Sequence, residues 1–547
     1  MPLLGNPDRR FPNDHGRMAH KDMFALSSIC LVALILRCAV GWEREYIVAP
    51  DETYNYLEQA FRLAFGYGTH IWAYDIGFRS YLFPGILSLI MRAAGSIVNR
   101  PGFYVGAVTL FMSCLSLSVV VASYVWARIT NGFLGAVVAG MIAAVWYELI
   151  YFAPHALSEV FATNFLVMAC LVYSVNPAGD SRFQDICLAA CLAVAVFVRV
   201  QLTPAAGVLL LWMLWQRGPR GSLLVLASFL GTFTALGFSD LITYRYPFQS
   251  IILNVLINTV GGISNGYGTS SIYRYLDLEL HYNGGVAILI FLGCIIAGLR
   301  MPLLLLEPIS IVVPHSLLAH KEYRFIYPAI PFMVALAAIA TTDLVKLISP
   351  ERPSFARPMV AALAVAVWSG GSLAQAAEGP FRREWFRASG EIAAAQWISE
   401  LHGVCGVGSY LIHASALAGL VRFHHDVSVL TILVPEHFRA AAPGFNVLIA
   451  TDDRLPADPD FRLEKCWANG FNEASYNVRM PEVCVLRRAG TCQPGAVSDP
   501  DPDSPLPRLR QPWHDIIERM VMRAGHDQTS IELRGQVVWP ERSNPKP

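Results

Sequence analysis

The chain has 547 residues, of which 54% are hydrophobic and only 15% are charged, whereas a typical soluble domain carries about 25% charged residues. Its 41 basic residues balance its 41 acidic residues, and this balance gives no indication of a nucleic-acid partner. The mean hydropathy of +0.44 and the long apolar runs are typical of an α-helical protein that crosses a membrane several times.

The N-terminal segment, residues 1–22, is polar and basic, and the first apolar run extends from Met23 to Val40. No small-residue cleavage site follows this run, so the sequence predicts a retained transmembrane helix and a cytoplasmic N-terminus. Further apolar runs fill residues 23–380 and predict about 10–13 membrane helices. Several of these runs are short or adjoin one another, so the parity of the crossings stays open.

Two long polar segments interrupt this membrane domain. The first, residues 41–81, has more acidic than basic residues and many tyrosines and tryptophans, which favours an extracytoplasmic loop at a membrane interface. The second, residues 244–283, contains glycines and asparagines that permit tight turns and close backbone approach to a ligand. A flexible connector explains the second segment equally well.

The composition changes near residue 381. Short apolar runs alternate there with helical segments, which predicts a small water-exposed α/β domain over residues 381–490, followed by a Pro- and Asp-rich tail over residues 491–547. If this region faces an oxidising space, it has room for one disulfide, but spacing alone does not give the pairing. Its four cysteines are Cys405, Cys466, Cys484 and Cys492.

A pair of carboxylates, Asp51 and Glu52, follows Pro50 shortly after the first apolar run. Such a pair could simply cap a helix or lie in water. The functional alternative is a general base, because a sugar hydroxyl is a poor nucleophile and a nearby carboxylate can take its proton in the transition state.

A second polar cluster interrupts an apolar stretch far downstream, at His320, Lys321, Glu322 and Arg324. An arginine suits bidentate contact with a phosphate and a lysine suits a point-charge contact, so this cluster is a candidate phosphate site. A basic cytoplasmic loop is the other explanation. Glu322 weakens that explanation, because such a loop has no need of an acidic residue.

Other ionisable residues lie within the apolar runs, where charge is costly and by default marks a functional pathway. Each could instead stand at the true end of a membrane helix. These residues are Glu148, His155, Glu159, Arg199, Asp240 and Glu307.

Together these motifs resemble a known family, the dolichyl-phosphate-mannose-dependent α-mannosyltransferases of glycosyltransferase family 22. The likeness to the family's first luminal loop is carried by Pro50-Asp51-Glu52, Glu58, Arg62 to Gly68 and Arg79. Residues 320–328 resemble its downstream signature, and Asp240 and Asn258 fall where the family has similar residues. The likeness covers roughly residues 25–345.

The resemblance implies the GT-C fold and an inverting transfer of a sugar, usually mannose, from a polyprenyl-phosphate-linked donor to a glycan or glycolipid acceptor. It implies that Asp51 is the general base, with Glu52 as its neighbour or substitute. It also implies that the donor phosphate meets His320, Lys321 and Arg324. The further substrate-binding candidates are Glu58, Arg62, Arg79, Glu159, Arg199, Asp240, Asn258 and Glu322.

No cofactor is expected. Asp51 and Glu52 could hold one divalent metal ion, but no third ligand is evident in the sequence, so no metal site is predicted.

The sequence departs from the family at Ala49, where many members have histidine, and at His155, where an arginine is usual. These departures affect the prediction of the acceptor more than the prediction of the transfer reaction. A composition rich in alanine, arginine and proline favours a bacterial source. The expected location is then the inner membrane with the active site facing the periplasm, or the membrane of the endoplasmic reticulum with a luminal site in a eukaryote.

Two other functions fit part of the pattern. Broken helices and intramembrane charges also mark secondary transporters and flippases of lipid-linked sugars, although the chain shows no internal repeat and its acidic motif lies in a loop. A non-catalytic subunit of a glycan-assembly complex is the third hypothesis, and such a subunit would tolerate substitution of Asp51 and Lys321.

Overall fold

The structure, a computed structural model, describes residues 20–43, 46–260, 262–349, 356–412, 417–469 and 481–493. Most of the predicted N-terminal segment and of the predicted C-terminal tail lies outside these residues. A large helical domain comes first along the chain, and a small domain with a five-stranded sheet follows it. The predicted fold class, a polytopic helical protein with a small C-terminal α/β domain, is confirmed.

The helices of the first domain are numbered in chain order. They are α1 (His20–Glu43), α2 (Glu58–Phe65), α3 (Trp72–Asp75), α4 (Leu82–Gly95), α5 (Pro101–Leu115), α6 (Leu117–Val145), α7 (Tyr147–Phe152), α8 (Ser158–Val175), α9 (Arg182–Val198), α10 (Thr203–Ser239), α11 (Gln249–Val255), α12 (Arg274–Asn283), α13 (Gly285–Gly298), α14 (Pro302–Leu317), α15 (Ile330–Ile348) and α16 (Ala356–Ala377).

Among the described residues, six helical segments are long and apolar enough to cross a membrane, or seven if the bent pair α12–α13 forms one span. The predicted number, about 10–13, is larger because it also counted shorter runs. Three further apolar helical segments, Leu82–Gly95, Gln249–Asn258 and Pro302–Leu317, are shorter than a full span.

Two of the six segments are much longer than one crossing needs. Pro101–Val145 has 45 residues and Val200–Ile242 has 43, and a helix of that length measures roughly 65 Å against a hydrocarbon core of about 30 Å. Each segment contains a glycine with non-helical angles, Gly132 at φ 80° and Gly218 at φ 70°. The glycine kinks α6 in the first segment and α10 in the second, so neither segment is one straight helix.

Helix α15 lies at the centre of the first domain. In the segment Tyr323–Ile348 that contains it, 83% of the most apolar stretch is buried inside the protein, against 11% for α16 and 17% for α1. The central helix packs against α6, α13 and α14. A 3-10 turn, Tyr323–Ala329, leads into α15, so the downstream polar cluster stands at the end of the most buried helix.

The acidic pair lies where the chain leaves α1. Asp51 directly precedes a π-helix, Glu52–Leu57, which continues into α2. Short π-helical turns are rare and occur frequently at functional sites. Gly66 ends α2 in the left-handed conformation, at φ 86°, which glycine adopts without the steric penalty of a side chain.

The C-terminal domain contains the strands β1 (Gly406–Tyr410), β2 (Ser428–Ile432), β3 (Val447–Thr451), β4 (Arg462–Trp467) and β5 (Val483–Arg487). Their order in the sheet is β2-β1-β3-β5-β4. Strand β1 is parallel to β2 and β3, whereas β5 is antiparallel to its neighbours. The described helices of this domain are α17 (Ser389–Ser399), α18 (Leu420–Phe423) and α19 (Phe438–Ala441).

Two disulfides close this domain. Cys466 and Cys484 pair across the adjacent strands β4 and β5, and Cys405 before β1 pairs with Cys492 after β5. The sequence indicated room for one disulfide, and the structure has two, because the fold brings distant cysteines to neighbouring positions.

We expect non-reducing peptide mapping of the purified protein to recover both disulfide-linked peptide pairs. All four of these cysteines should resist maleimide until a reductant is added. Cys114, which is free and exposed in the membrane domain, serves as the reference because it should react without reductant in detergent. Labelling of Cys405 or Cys466 in the unreduced protein would contradict the pairing.

Candidate active site

The side chains of the acidic pair point to different partners. Oδ2 of Asp51 accepts a 2.5 Å hydrogen bond from Nη2 of Arg324. Oε1 of Glu52 lies 2.7 Å from Nδ1 of His155, and its other oxygen accepts from the backbone N–H of Val48 at 3.2 Å. Adjacent residues on a helical turn diverge by roughly a quarter of a turn or more, so the two carboxylates serve different environments.

The guanidinium of Arg324 holds three carboxylates from three parts of the chain. Besides Asp51, its Nη1 donates to Glu159 at 3.1 Å and its Nε donates to Glu322 at 2.7 Å. The side chain is only 7% exposed. Arginine suits this position because its planar fork presents several donors in fixed directions.

Two more arginines complete what we call the Arg324 cluster, which comprises Asp51, Glu159, Glu322, Arg79, Arg199 and Arg324. Nη1 of Arg199 lies 3.2 Å from Glu159, and Nη2 of Arg79 lies 3.8 Å from Asp51. Three carboxylates thus face three guanidinium groups. A charge-balanced cluster of this kind tolerates burial far better than an unpaired ion.

The arginines set the acidity of the carboxylates. Burial raises the pKa of the Asp51 carboxyl, but Arg324 and Arg79 outweigh burial and hold that pKa below its ordinary value. For Glu322 the same competition between burial and Arg324, with help from His320, lowers the pKa strongly. Both groups are therefore carboxylates that accept hydrogen bonds.

A small cavity that is partly open to solvent adjoins the Arg324 cluster, and we call it the arginine cavity. Its two cations are Arg79 and Arg199. Other polar groups come from Tyr56, Ser158, Gln201 and Asn254, and apolar walls from Phe78, Leu82, Phe83 and Phe197. A cavity that combines cationic side chains with apolar walls can bind an anionic group attached to an apolar chain.

The segments that form this cluster lie in a region of the chain that matches a family model. The model of the Alg9-like mannosyltransferase family matches residues 28–377, well over half of the chain. The chain belongs to the Alg9-like mannosyltransferase family. The expected family resemblance is thereby confirmed, and both the acidic pair and the downstream cluster lie inside the matched region.

Several curated relatives of this Alg9-like chain are similar to it. GPI alpha-1,2-mannosyltransferase 3 of Mus musculus is 26% identical over 303 residues, which cover 54% of this chain and 55% of the relative. GPI mannosyltransferase 3 of Yarrowia lipolytica is 25% identical over 360 residues, which cover 61% of this chain and 66% of the relative. The chain thus spans only half to two thirds of the relatives' length.

Among solved structures, ArnT from Cupriavidus metallidurans bound to undecaprenyl phosphate is similar in fold. The TM-score is 0.56 at 12% sequence identity, and the match covers 87% of this chain and 100% of ArnT. At this identity the likeness concerns the fold alone. It extends past the region matched by the Alg9-like family model.

His320 and Lys321 lie beside the Arg324 cluster of this Alg9-like protein and hold a neighbouring loop. His320 contacts the carbonyl oxygen of Gly268 through Nδ1 at 2.9 Å and Glu322 through Nε2 at 3.1 Å. The bond with Glu322 is the main reason that the pKa of His320 is raised. Nζ of Lys321 donates to the carbonyl oxygen of Ser270 at 3.3 Å. Their role as phosphate ligands stays a prediction.

Four other predicted substrate-binding residues have partners outside the Arg324 cluster. Arg62 donates to Gln59 at 3.1 Å, Asp240 accepts from the backbone and side chain of Ser250, and Asn258 donates to Asn254. Glu58 is fully buried, and its two oxygens accept from the backbone N–H groups of Thr69 at 2.6 Å and Val421 at 2.9 Å. Glu58 therefore joins the first loop to the C-terminal domain.

The sequence did not single out the uncharged groups of the arginine cavity. Tyr56 lies one helical turn after Glu52, and its hydroxyl donates to Ser158 at 2.7 Å and accepts from Arg79 at 3.1 Å. In the sequence, the signal that could have identified Tyr56 was its spacing of one helical turn from Glu52. Within the described residues, no group of three or more His, Cys, Asp or Glu side chains is arranged to hold a metal ion.

Glu58 gives the protein a pH-dependent stability. Burial raises the pKa of its carboxyl to about 7, against an ordinary 4.5, although the N–H groups of Thr69 and Val421 oppose this. Because the folded state holds the proton more tightly than the unfolded state, this contribution is complete below about pH 4.5 and is lost as the pH rises through 7.

We expect the stability of the wild type relative to Glu58→Gln to fall by up to about 3 kcal/mol between pH 4.5 and pH 8. Thermal unfolding of both proteins in the same detergent across this range measures the difference. Glu464→Gln, at an exposed position of β4, is the matched control and should track the wild type. A constant difference between wild type and Glu58→Gln at all pH values would contradict the assignment.

Proposed function

We propose that this protein is a membrane mannosyltransferase that moves mannose from a polyprenyl-phosphate donor to a glycan or glycolipid acceptor. The observation that carries the proposal is the contact of Asp51 with Arg324 and Arg79 beside a cavity lined by Arg79 and Arg199. Membership of the Alg9-like family supports mannose as the sugar, as do the names of the relatives. The undecaprenyl phosphate bound to ArnT supports a polyprenyl carrier.

The proposed reaction is a single inverting displacement at the anomeric carbon. Asp51 takes the proton of the acceptor hydroxyl, the acceptor oxygen forms the new bond to carbon, and the bond from carbon to the phosphate oxygen breaks. The polyprenyl phosphate leaves with the electron pair, and the arginines of the cavity stabilise its charge. No metal and no other cofactor takes part in this proposal.

Donor binding would also activate the base. Without a donor, Arg324 and Arg79 hold the pKa of Asp51 below its ordinary value and make it a weak base. A donor phosphate in the arginine cavity would bind Arg79 and offset its positive charge, so the pKa of Asp51 would rise. This coupling predicts that the donor binds before the acceptor is deprotonated.

We propose that the site faces an extracytoplasmic space, the periplasm or the lumen of the endoplasmic reticulum. Two disulfides in the C-terminal domain support this side, because disulfides persist in oxidising compartments. The C-terminal domain contacts the first loop through Glu58 and through the bond from the Tyr54 hydroxyl to the carbonyl oxygen of Leu417. Both regions would then share one side of the membrane.

The transporter hypothesis is not favoured. The chain belongs to a family of transferases, and its acidic pair lies in the turn that follows the end of α1 rather than in the middle of a membrane helix.

We expect Asp51→Asn to insert and fold but to transfer mannose about 10²–10⁴ times more slowly, because the amide cannot take the proton. Turnover of polyprenyl-phosphate mannose with a panel of glycolipid acceptors, in membranes with equal protein levels, measures the loss. The matched control is Asp75→Asn in the same loop, which pairs with His70 and should keep full activity. Near-normal turnover by Asp51→Asn would remove Asp51 from the role of base.

The two candidate phosphate contacts can be separated. Arg199 lines the arginine cavity, whereas Lys321 holds the loop at Ser270, so Arg199→Gln should raise the KM for the donor roughly ten- to hundred-fold. Lys321→Gln should raise it less than three-fold, since its charge is solvated. Steady-state kinetics with varied donor tests both variants, and the reverse order would assign the phosphate to Lys321.

A further inference from the structure

A second cavity lies on the other side of the acidic pair, and we call it the histidine cavity. It shares no lining residue with the arginine cavity, and its interior has room for a group the size of a water molecule or a hydroxyl. Its polar lining comes from Glu52, His155 and Arg422, and most of its apolar lining comes from the end of α1 and from α5. Asp51 thus faces the Arg324 cluster while Glu52 faces a separate space.

Glu52 fixes the state of the His155 ring. The 2.7 Å contact joins Nδ1 of His155 to the carboxyl group of Glu52. When the ring is neutral and donates from Nδ1 to a carboxylate, Nε2 is a hydrogen-bond acceptor. A carboxylate that orients a histidine in this way selects one tautomer and presents the opposite nitrogen to a ligand.

Nε2 of His155 has no hydrogen-bond partner among the described residues, although the side chain is only about 7% exposed. The ring is also held in place by Tyr46 and Tyr151, whose ring centroids lie 4.5 Å and 5.9 Å away. Leaving a buried polar atom without a hydrogen-bond partner destabilises the protein. A ligand in the histidine cavity that donates a hydrogen bond would remove this destabilisation.

The remaining walls suit a lipid-anchored sugar. Trp42 at the end of α1 offers an aromatic face, and Gly106 of α5 leaves space that a larger side chain would fill. Arg422 brings a cation from α18 of the C-terminal domain. One end of the cavity is therefore polar, and the other lies against the apolar helices α1 and α5.

We propose that the histidine cavity binds a hydroxyl group of the lipid-anchored acceptor sugar, which donates a hydrogen bond to Nε2 of His155. Glu52 acts as a positioning residue that holds the ring. The inference rests on the proposed transferase function and adds to it a separate acceptor site, on the side of the acidic pair away from the donor. The donor and acceptor would then reach the acidic pair from different cavities.

Two substitutions of His155 separate the two ring nitrogens. His155→Asn keeps an N–H near the position of Nδ1, so it can still donate to Glu52, but it has no atom at the position of Nε2. His155→Gln places an amide oxygen near Nε2 and gives up the contact with Glu52. If Nε2 binds the acceptor, the asparagine variant loses more affinity than the glutamine variant.

The binding measurement uses octyl α-D-mannopyranoside as the probe and the full chain in lipid nanodiscs, because glycoside detergents would compete. We expect His155→Asn to weaken binding at least ten-fold in equilibrium dialysis, and His155→Gln to weaken it less. With saturating donor, His155→Asn should raise the KM for this acceptor by a similar factor. The increase in the KM for the acceptor should exceed any change in kcat or in the KM for the donor.

A cavity-filling variant provides an independent test. Gly106→Leu adds a side chain against Trp42, whose ring lies 3.4 Å from the position of the new Cβ, and should also weaken binding of the probe at least ten-fold. Gly207→Leu is the matched control, because Gly207 lies in α10 with no atom near its Cβ position and does not line the cavity. It should bind the probe like the wild type.

Equal binding by the wild type, His155→Asn and Gly106→Leu would overturn the proposal. So would a loss of binding in His155→Asn that occurs only with a lowered unfolding temperature and equally in His155→Gln, since that would indicate a structural role. If the wild-type protein binds the probe but does not transfer mannose to it, the proposed function is refuted and the proposed binding site is retained. Transfer to the probe without an effect of His155 would refute the site alone.

Discussion

The active-site architecture depends on the pairing of one buried cation, Arg324. A guanidinium that is almost fully buried must be neutralised, and here Asp51, Glu159 and Glu322 do so from the first loop, the start of α8 and the turn before α15. These three segments are more than a hundred residues apart along the chain. Their common partner fixes the end of the central helix against the first loop and gives Asp51 its direction.

The same constraint separates the roles of the acidic pair. Asp51 binds Arg324 within the cluster. Because Glu52 is the next residue in the helical turn, its side chain points in another direction and contacts His155. Two neighbouring carboxylates thus acquire opposite environments: Asp51 is shared among guanidinium groups, while Glu52 orients an imidazole. Asp51 belongs to the cluster that adjoins the arginine cavity, whereas Glu52 lines the histidine cavity.

The C-terminal domain is part of the site region rather than an appendage. Val421 accepts from the hydroxyl of Tyr104 at 2.5 Å and donates its N–H to Glu58 at 2.9 Å, and the next residue, Arg422, lines the histidine cavity. The two disulfides hold the sheet that carries this segment. The domain and the first loop therefore support each other, and the proposed acceptor site draws on both.

The sequence by itself determined the membrane class, the α/β character of the C-terminal domain, the family and both polar motifs, because hydrophobic periodicity and short motifs are local properties of the chain. It gave the acidic pair and Arg324, but not the contact between them, since residues 51 and 324 meet only when α15 is buried at the centre of the bundle. Glu58 is a substrate-binding candidate from the sequence, and only the fold shows the two backbone N–H groups that donate to its carboxyl group. Tyr56, the two disulfides and the His155 cavity likewise depend on tertiary packing: charge neutralisation and burial decide which distant groups become partners, and neither acts along the sequence alone.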